Sequence, residues 1–235
     1  MVATTDVIPA DAVPVLDHGF VRLDGVMADD LSVANAARVS FARRKEELDE
    51  SDEGLIRFLM RDHHGTPFEH NAFRYHVRCP IFVAREWFRH RIGSFNEFSL
   101  RYARATDDFY VPDPEDVRSQ VGKPGAYTFE QVPPELAERT REELQAVYDH
   151  AYETYERLVE AGVAREVARS ALPVAAYTQF YWTVNARALM NFVSLRASEF
   201  AQLEIRRYAE VVEASFAEHM PVTHAAFVAG GRVAP

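Results

Sequence analysis

A single cysteine, Cys79, stands in a chain of 235 residues. That excludes an intrachain disulfide and any metal cluster built on several thiolates, so a cofactor must be held by other side chains. Long apolar runs are also missing: nowhere do the roughly eighteen apolar residues of a membrane-spanning helix occur together. The N-terminus has no basic segment ahead of an apolar one, and the expected location is the cytoplasm. Positive charge is in short supply, with 26 Lys and Arg against 36 Asp and Glu and a net charge of -10. Such a balance argues against nucleic acid or a membrane surface as partner, since both reward a broad positive field. G-x-G-x-x-G, G-x-x-x-x-G-K-[ST] and G-x-S-x-G are all absent, which excludes nucleotide binding in the Rossmann manner. Cys79 has no catalytic cysteine–histidine setting and reads as buried packing at a strand end. No Gly/Ser-rich linker divides the chain, and 48% hydrophobic residues suffice for one sizeable core.

What positive charge there is gathers in one place. Seven arginines and two glutamates lie between Arg74 and Arg104, an island of +5 that leaves -15 for the remainder. Its densest part runs from Arg89 to Tyr102 and mixes guanidinium forks, hydroxyls, an amide and a carboxylate. Arginine forks and serine hydroxyls suit phosphate and carboxylate oxygens, so a small anionic ligand is one reading and a solvated basic face is the other.

Taken in order, residues 1–12 form a loose leader, and Val13 to Leu16 with Phe20 to Leu23 predict a hairpin about Asp17-His18-Gly19. Asp29 or Asp30 caps a helix that ends near Ser40. A second helix starts at Ser51-Asp52-Glu53, faces inward with Leu55, Phe58 and Leu59, and stops by Gly65. His63 to His70 is a polar turn. Its three histidines and one glutamate lack zinc spacing, so Thr66, Glu69 and His70 either orient a ligand or simply shape the turn. In the strand that follows, Phe73, Tyr75, Val77 and Cys79 alternate with Arg74, His76 and Arg78. Pro80 opens a helix that the pattern carries through Arg89 and His90 to Gly93, after which residues 94–102 run as a loop or extended segment. Residues 105–135 hold five of the twelve prolines and read as a surface excursion, a lid or an insertion. A long helix spans Pro134 to Ala161, with Gly162 as its stop. A short helix carries Arg165 and Arg169. Tyr177 to Val184 is a buried strand, and Asn185 caps a helix that places Arg187 and Asn191 on one side with Arg196 a turn later. A last helix runs from Ser198 or Glu199 to His219, followed by Pro221 and a small-residue tail. The periodicity supports a helix-rich α+β chain.

The run Arg89-His90-Arg91-x-x-Ser94-x-Asn96-Glu97-x-Ser99-x-Arg101-Tyr102 resembles, at every fixed position, the signature R-H-R-x-x-S-x-N-E-x-S-x-R-Y of flavin-dependent thymidylate synthases. Ala37-Arg38-Val39-Ser40-Phe41, Thr66-Pro67-Phe68-Glu69-His70, Glu166-Val167-Ala168-Arg169 and Trp182-Thr183-Val184-Asn185-Ala186-Arg187 agree too, so the likeness covers about residues 15 to 225. It implies a helix-rich single domain, residues 13–225, with a small mixed β-sheet flanked by long helices and a tail at 226–235. It also implies reductive methylation of dUMP to dTMP, with methylenetetrahydrofolate as carbon donor, FAD as hydride carrier and NADPH as reductant, and no cysteine nucleophile.

By position, Ser40, Thr66, Glu69, Arg89, His90, Arg91, Glu97, Asn185, Arg187 and Asn191 are expected at FAD, Ser40 from another subunit. Glu86, Arg89, Glu97, Phe98, Ser99, Leu100, Arg101, Arg169 and Arg196 are expected at dUMP. Ser99, Arg101 and Arg169 would take the phosphate, Arg196 would stabilise negative charge on the uracil as the catalytic residue, and His64 would lie on the folate side. The resemblance implies a homotetramer with sites at subunit contacts. Glu86 departs from the family, which often has glutamine there. A carboxylate would weaken anion binding unless it pairs with Arg85, Arg89 or His90. The residues alone also allow a metal-dependent nucleotide phosphohydrolase using the His63 to His70 cluster, or a nucleotide- or RNA-binding module.

Overall fold

The computed structural model of the chain describes residues 8–123 and 126–235. Of the expected leader, residues 1–7 lie outside the described residues. Along the chain come β1 (Val13–Val15), β2 (Gly19–Met27), α1 (Asp30–Arg38), α2 (Glu50–Arg61), β3 (Ala72–Pro80), α3 (Ile81–Trp87) and β4 (Ser94–Glu97). They are followed by β5 (Arg118–Lys123), β6 (Ala126–Gln131), α4 (Pro134–Glu160), α5 (Arg165–Ala168), β7 (Tyr177–Asn185), α6 (Ala186–Arg196), α7 (Leu203–His219) and α8 (Pro221–Ala229). The fold is α+β and helix-rich, with a small sheet, as the sequence predicts. The contacts divide into two compact units, one of Ser99–Tyr177 and one of the described residues before and after it.

The larger unit carries a five-stranded sheet in the order β1-β2-β3-β7-β4. The expected hairpin is present, with Val13 opposite Val21 in an antiparallel register, and β2 continues against β3 past a bulge between Leu23 and Gly25. Period-two alternation sends Phe73, Tyr75, Val77 and Cys79 into the core, all fully buried. The apolar run expected as a buried strand is buried on one face only. Phe180, Trp182 and Val184 point inward, while Tyr181 is exposed and stacks on His76 at 4.8 Å. Trp87 of α3 is the hub of the core: it stacks on Phe192 of α6 at 4.6 Å and meets Trp182 and Phe180 edge-on at 5.3 and 5.4 Å.

Helix ends differ from the sequence reading where a cap or a buried ring intervenes. Helix α2 begins at Glu50 because Asp49, not Ser51, closes a capping box with Asp52. Its inward face is Ile56, Leu59 and Met60, which leaves Phe58 exposed. Helix α3 stops at Trp87, well short of Gly93, so Arg89 and His90 lie in the turn beyond it. Helix α7 begins at Leu203, after residues 198–202 have turned.

The expected tail after Pro221 is helix α8. Proline sits in its first turn, where its missing N–H costs nothing, and the buried Asp30 of α1 caps it. Asp30 accepts from the N–H groups of Val222 and Thr223 at 2.9 and 2.8 Å and from the Thr223 hydroxyl at 2.6 Å. Glu213 of α7 then takes His224 and Arg232 at 2.9 and 2.7 Å and holds the turn that follows α8.

In the smaller unit α4 runs from Pro134 as expected and ends at Glu160, two residues before Gly162, whose φ of +86° suits a residue without a Cβ. Its buried face is Ala137, Tyr148 and Tyr155, and Tyr148 stacks on Phe109 at 5.2 Å. The 105–135 excursion carries the exposed antiparallel hairpin of β5 and β6. Pro124 lies outside the described residues.

Candidate functional site

The larger unit contains a cleft of about 830 Å³ lined by Glu69, Arg89, His90, Arg91, Ile92, Asn185, Arg187, Ala188, Asn191, Leu195, Arg196, Ala234 and Pro235. Four separate pieces of chain meet there. The turn after α3 brings Arg89 to Ile92, and α6 brings Asn185 to Arg196. The 3-10 turn Thr66–His70 brings Glu69, and the segment after α8 brings Ala234 and Pro235.

Each piece is aimed by an identifiable contact. Asn185 caps α6 by accepting from the Ala188 N–H at 2.8 Å, which fixes the start of the helix and with it Arg187, Asn191 and Arg196 along one side. Gly93 packs its backbone on Trp182. A Cβ there would stand 2.9 Å from the indole nitrogen, so glycine lets the arginine turn sit down on the core. Gly65 does the same under Arg187, where a Cβ would come within 2.4 Å of Nε. Arg187 donates to Glu69 Oε1 and to the Pro235 carbonyl, both at 2.6 Å.

At the other end Arg196 donates from Nη1 to Glu86 Oε2 at 2.8 Å, from Nη2 to the Glu86 carbonyl at 3.4 Å and from Nε to His90 Nε2 at 3.0 Å. Glu86 therefore pairs with Arg196, and not with the three partners the sequence offers. Those three lie beside it in the chain, whereas Arg196 is brought up by the packing of Phe192 on Trp87. Burial, then Arg196 and Arg89, push the His90 imidazole down to about 4, so it is neutral near pH 7 and its lone pair faces the Arg196 N–H. Burial foremost pushes the Glu86 carboxyl up, with Arg196 opposing. The Arg89 and Arg91 side chains are exposed and line the cleft.

Among the residues expected at FAD, Ser40 and Thr66 are exposed and do not line this cleft. Ser40 sits in a 3-10 turn between the exposed Val39 and Phe41. Glu97 lies on β4 and accepts from the Thr178 hydroxyl at 2.8 Å, while the Phe98 N–H donates to the Gln179 carbonyl at 2.8 Å. His64 is exposed against the edge of Phe58, away from the cleft lining. Cys79 is wholly buried, and burial pushes its thiol well up.

Ser99, Leu100, Arg101 and Arg169 belong to the smaller unit. There Arg101 Nε meets Glu166 at 3.2 Å, and Arg165 donates to the Tyr102 carbonyl at 2.8 Å. These two contacts tie the Ser99 to Tyr102 loop to the α5 segment that leads into Arg169. Sequence reasoning missed Ile92, Ala188, Leu195, Ala234 and Pro235. Ile92 carried a signal, being a large apolar residue in an otherwise polar stretch; the other four carried none.

Among the described residues, no group of three or more His, Cys, Asp or Glu is placed to hold a metal ion. No described helix is long and apolar enough to cross a membrane.

A family model described as thymidylate synthase complementing protein matches residues 23–222. A flavin-dependent thymidylate synthase from Thermosipho africanus is 48% identical over 214 residues, 91% of this chain and 92% of that one. One from Streptomyces coelicolor is 48% identical over 221 residues, 88% and 90% of the two chains. A solved structure, the UMP/dUMP methylase PolB from Streptomyces cacaoi bound with 5-Br UMP, superposes with a TM-score of 0.86 at 44% identity. It covers 94% of this chain and 97% of that one.

Proposed function

The chain belongs to the thymidylate synthase complementing protein family, and from that premise we propose that it converts dUMP to dTMP as a flavin-dependent methyltransferase. The observation that carries the reading is the convergence of Arg89, His90 and Arg91 with Asn185, Arg187, Asn191 and Arg196 in one cleft. The lining fits FAD: arginine and asparagine donors suit a diphosphate and a ring edge, and Ile92, Ala188 and Leu195 offer apolar contact to a flat ring system. In this reading Arg89, His90, Arg91, Asn185, Arg187 and Asn191 hold the cofactor, with Glu69 orienting Arg187 through their ion pair. When bound, the flavin supplies hydride carriage from NADPH to the nucleotide, with methylenetetrahydrofolate as carbon donor.

The work left to the protein is electrostatic and positional. Arg196 stabilises negative charge on the uracil, and neutral His90 keeps its guanidinium oriented without competing for a proton. Ser99, Arg101 and Arg169 take the nucleotide phosphate by charge-assisted hydrogen bonds. For that, Arg101 exchanges the exposed Glu166 carboxylate for a phosphate oxygen. Cys79 takes no part. The exposed Val39, Phe41 and Phe200 support assembly into a homotetramer, in which Ser40 contributes to a neighbouring site. The protein works in the cytoplasm.

The experiment is the visible spectrum of the purified chain, titrated with dUMP. Oxidised-flavin absorption is expected, together with NADPH oxidation accelerated by dUMP. A colourless protein that binds no added FAD sinks the proposal.

A further inference from the structure

Arg196 does not stand free in the cleft. Two of its three hydrogen bonds go to Glu86, and the paired side chains are 17% and 25% exposed, too buried for water to loosen them fully and too open for the core. The elements that carry them are locked together, since Trp87 follows Glu86 and stacks on Phe192, one turn before Arg196. We propose that Glu86 is a positioning residue: a counter-ion that holds Arg196 at the cleft and releases it by taking up a proton when an anionic nucleotide enters. The inference rests on the reading of the cleft given above.

A carboxylate 2.8 Å from the guanidinium offsets the positive charge that would stabilise negative charge on the uracil. The charged and titratable groups facing Glu86 are Arg196 from α6, Arg89 and His90 from the turn after its own helix, and Glu204 from α7. His90 cannot take the proton near pH 7, because burial and the two arginines hold it neutral. Glu86 is already displaced toward its protonated form by burial and by Glu204, with Arg196 and Arg89 opposing. A uracil edge that engages Arg196 draws it from Glu86 and so removes the main opposing influence, which favours the neutral carboxyl. The proton passes from solvent to a Glu86 carboxylate oxygen, and no bond to the nucleotide is made or broken. By linkage, dUMP binding strengthens as pH falls, by up to about tenfold per pH unit between the free and bound pKa of Glu86.

Glu86→Gln keeps the shape and a carbonyl oxygen for Arg196 but removes the charge and the proton site. The flavin-loaded full chain, unaltered and as E86Q, is titrated with dUMP by calorimetry near pH 7, in two buffers of different ionisation enthalpy, to count protons taken up. The nucleotide's own phosphate contributes equally to both proteins, so the difference isolates Glu86. The unaltered protein is expected to take up more protons than E86Q, by up to one per nucleotide, and its dUMP affinity is expected to fall with rising pH relative to the variant. Equal proton counts with normal dUMP binding overturn the inference and leave the proposed function standing. Absence of dUMP binding by both proteins overturns the proposed function and this inference with it. Independently of E86Q folding, the infrared difference spectrum of the unaltered protein should gain a protonated-carboxyl band on adding dUMP, and its absence overturns the inference.

Discussion

Replacing Arg187 by alanine separates a binding role from a structural one. In the structure Arg187 joins Glu69 at 2.6 Å, with the two side chains 45% and 39% exposed. An ion pair that open contributes only about 0–1 kcal/mol to stability, a melting shift below roughly 4 °C for a chain of this size. The same guanidinium turned to an anionic cofactor group makes a charge-assisted hydrogen bond of about 1.5–3 kcal/mol. Losing it raises the dissociation constant by about 10- to 150-fold. Arg187→Ala is therefore expected to melt almost like the unaltered protein yet need far more FAD for saturation, read by quenching of flavin fluorescence. Gly65→Ala tests the same group from behind, because the new Cβ lies 2.4 Å from Nε and must push the guanidinium off its present path. An unchanged FAD affinity in both variants would refute the reasoning. So would an affinity loss accompanied by a melting drop several times larger than the ion pair allows.

Arg196→Ala should lower turnover by about a hundredfold while leaving the bound-flavin absorbance in place, since it removes one preorganised donor for developing charge; loss of flavin with normal turnover after reconstitution contradicts that role. Asp30→Ala leaves the first N–H groups of α8 without a partner in a buried setting and should cost about 2–4 kcal/mol, measured by denaturant unfolding; a change under a few tenths would mean that water replaces the cap. Burial works against the Asp52 carboxylate, but hydrogen bonds from Lys45 and Arg38 outweigh it and hold its pKa below the usual value. The lowered folded-state pKa means that this stabilisation is complete above the unfolded value of about 3.9 and is lost as pH falls through the folded one. Asp52→Asn should therefore flatten the stability profile below about pH 4, and an unaltered acid limb counts against it. Cys79, buried and with its thiol pushed up, should resist iodoacetamide in the folded protein, and Cys79→Ala should keep turnover; labelling that abolishes activity in the native state would contradict both.

The residue types of the candidate site were legible before any fold was known. Arginine runs, the Asn185 cap and the alternation of Phe73, Tyr75, Val77 and Cys79 are local patterns, and local patterns survive folding because they reflect backbone period and side-chain type. They located the island of positive charge, β3, α4 and α6. What they could not reach depends on residues far apart in the chain. The stop of α3 at Trp87 follows from rings on α6 and β7, and the start of α8 follows from a cap supplied by Asp30. Glu86 drew its partner from Arg196, although arginines nearer in the chain were available. Residue type along the chain thus determined which groups could bind an anion. The tertiary structure decided which of them already hold one another, because close packing of Trp87, Trp182 and Phe192 sets distances that no local period encodes.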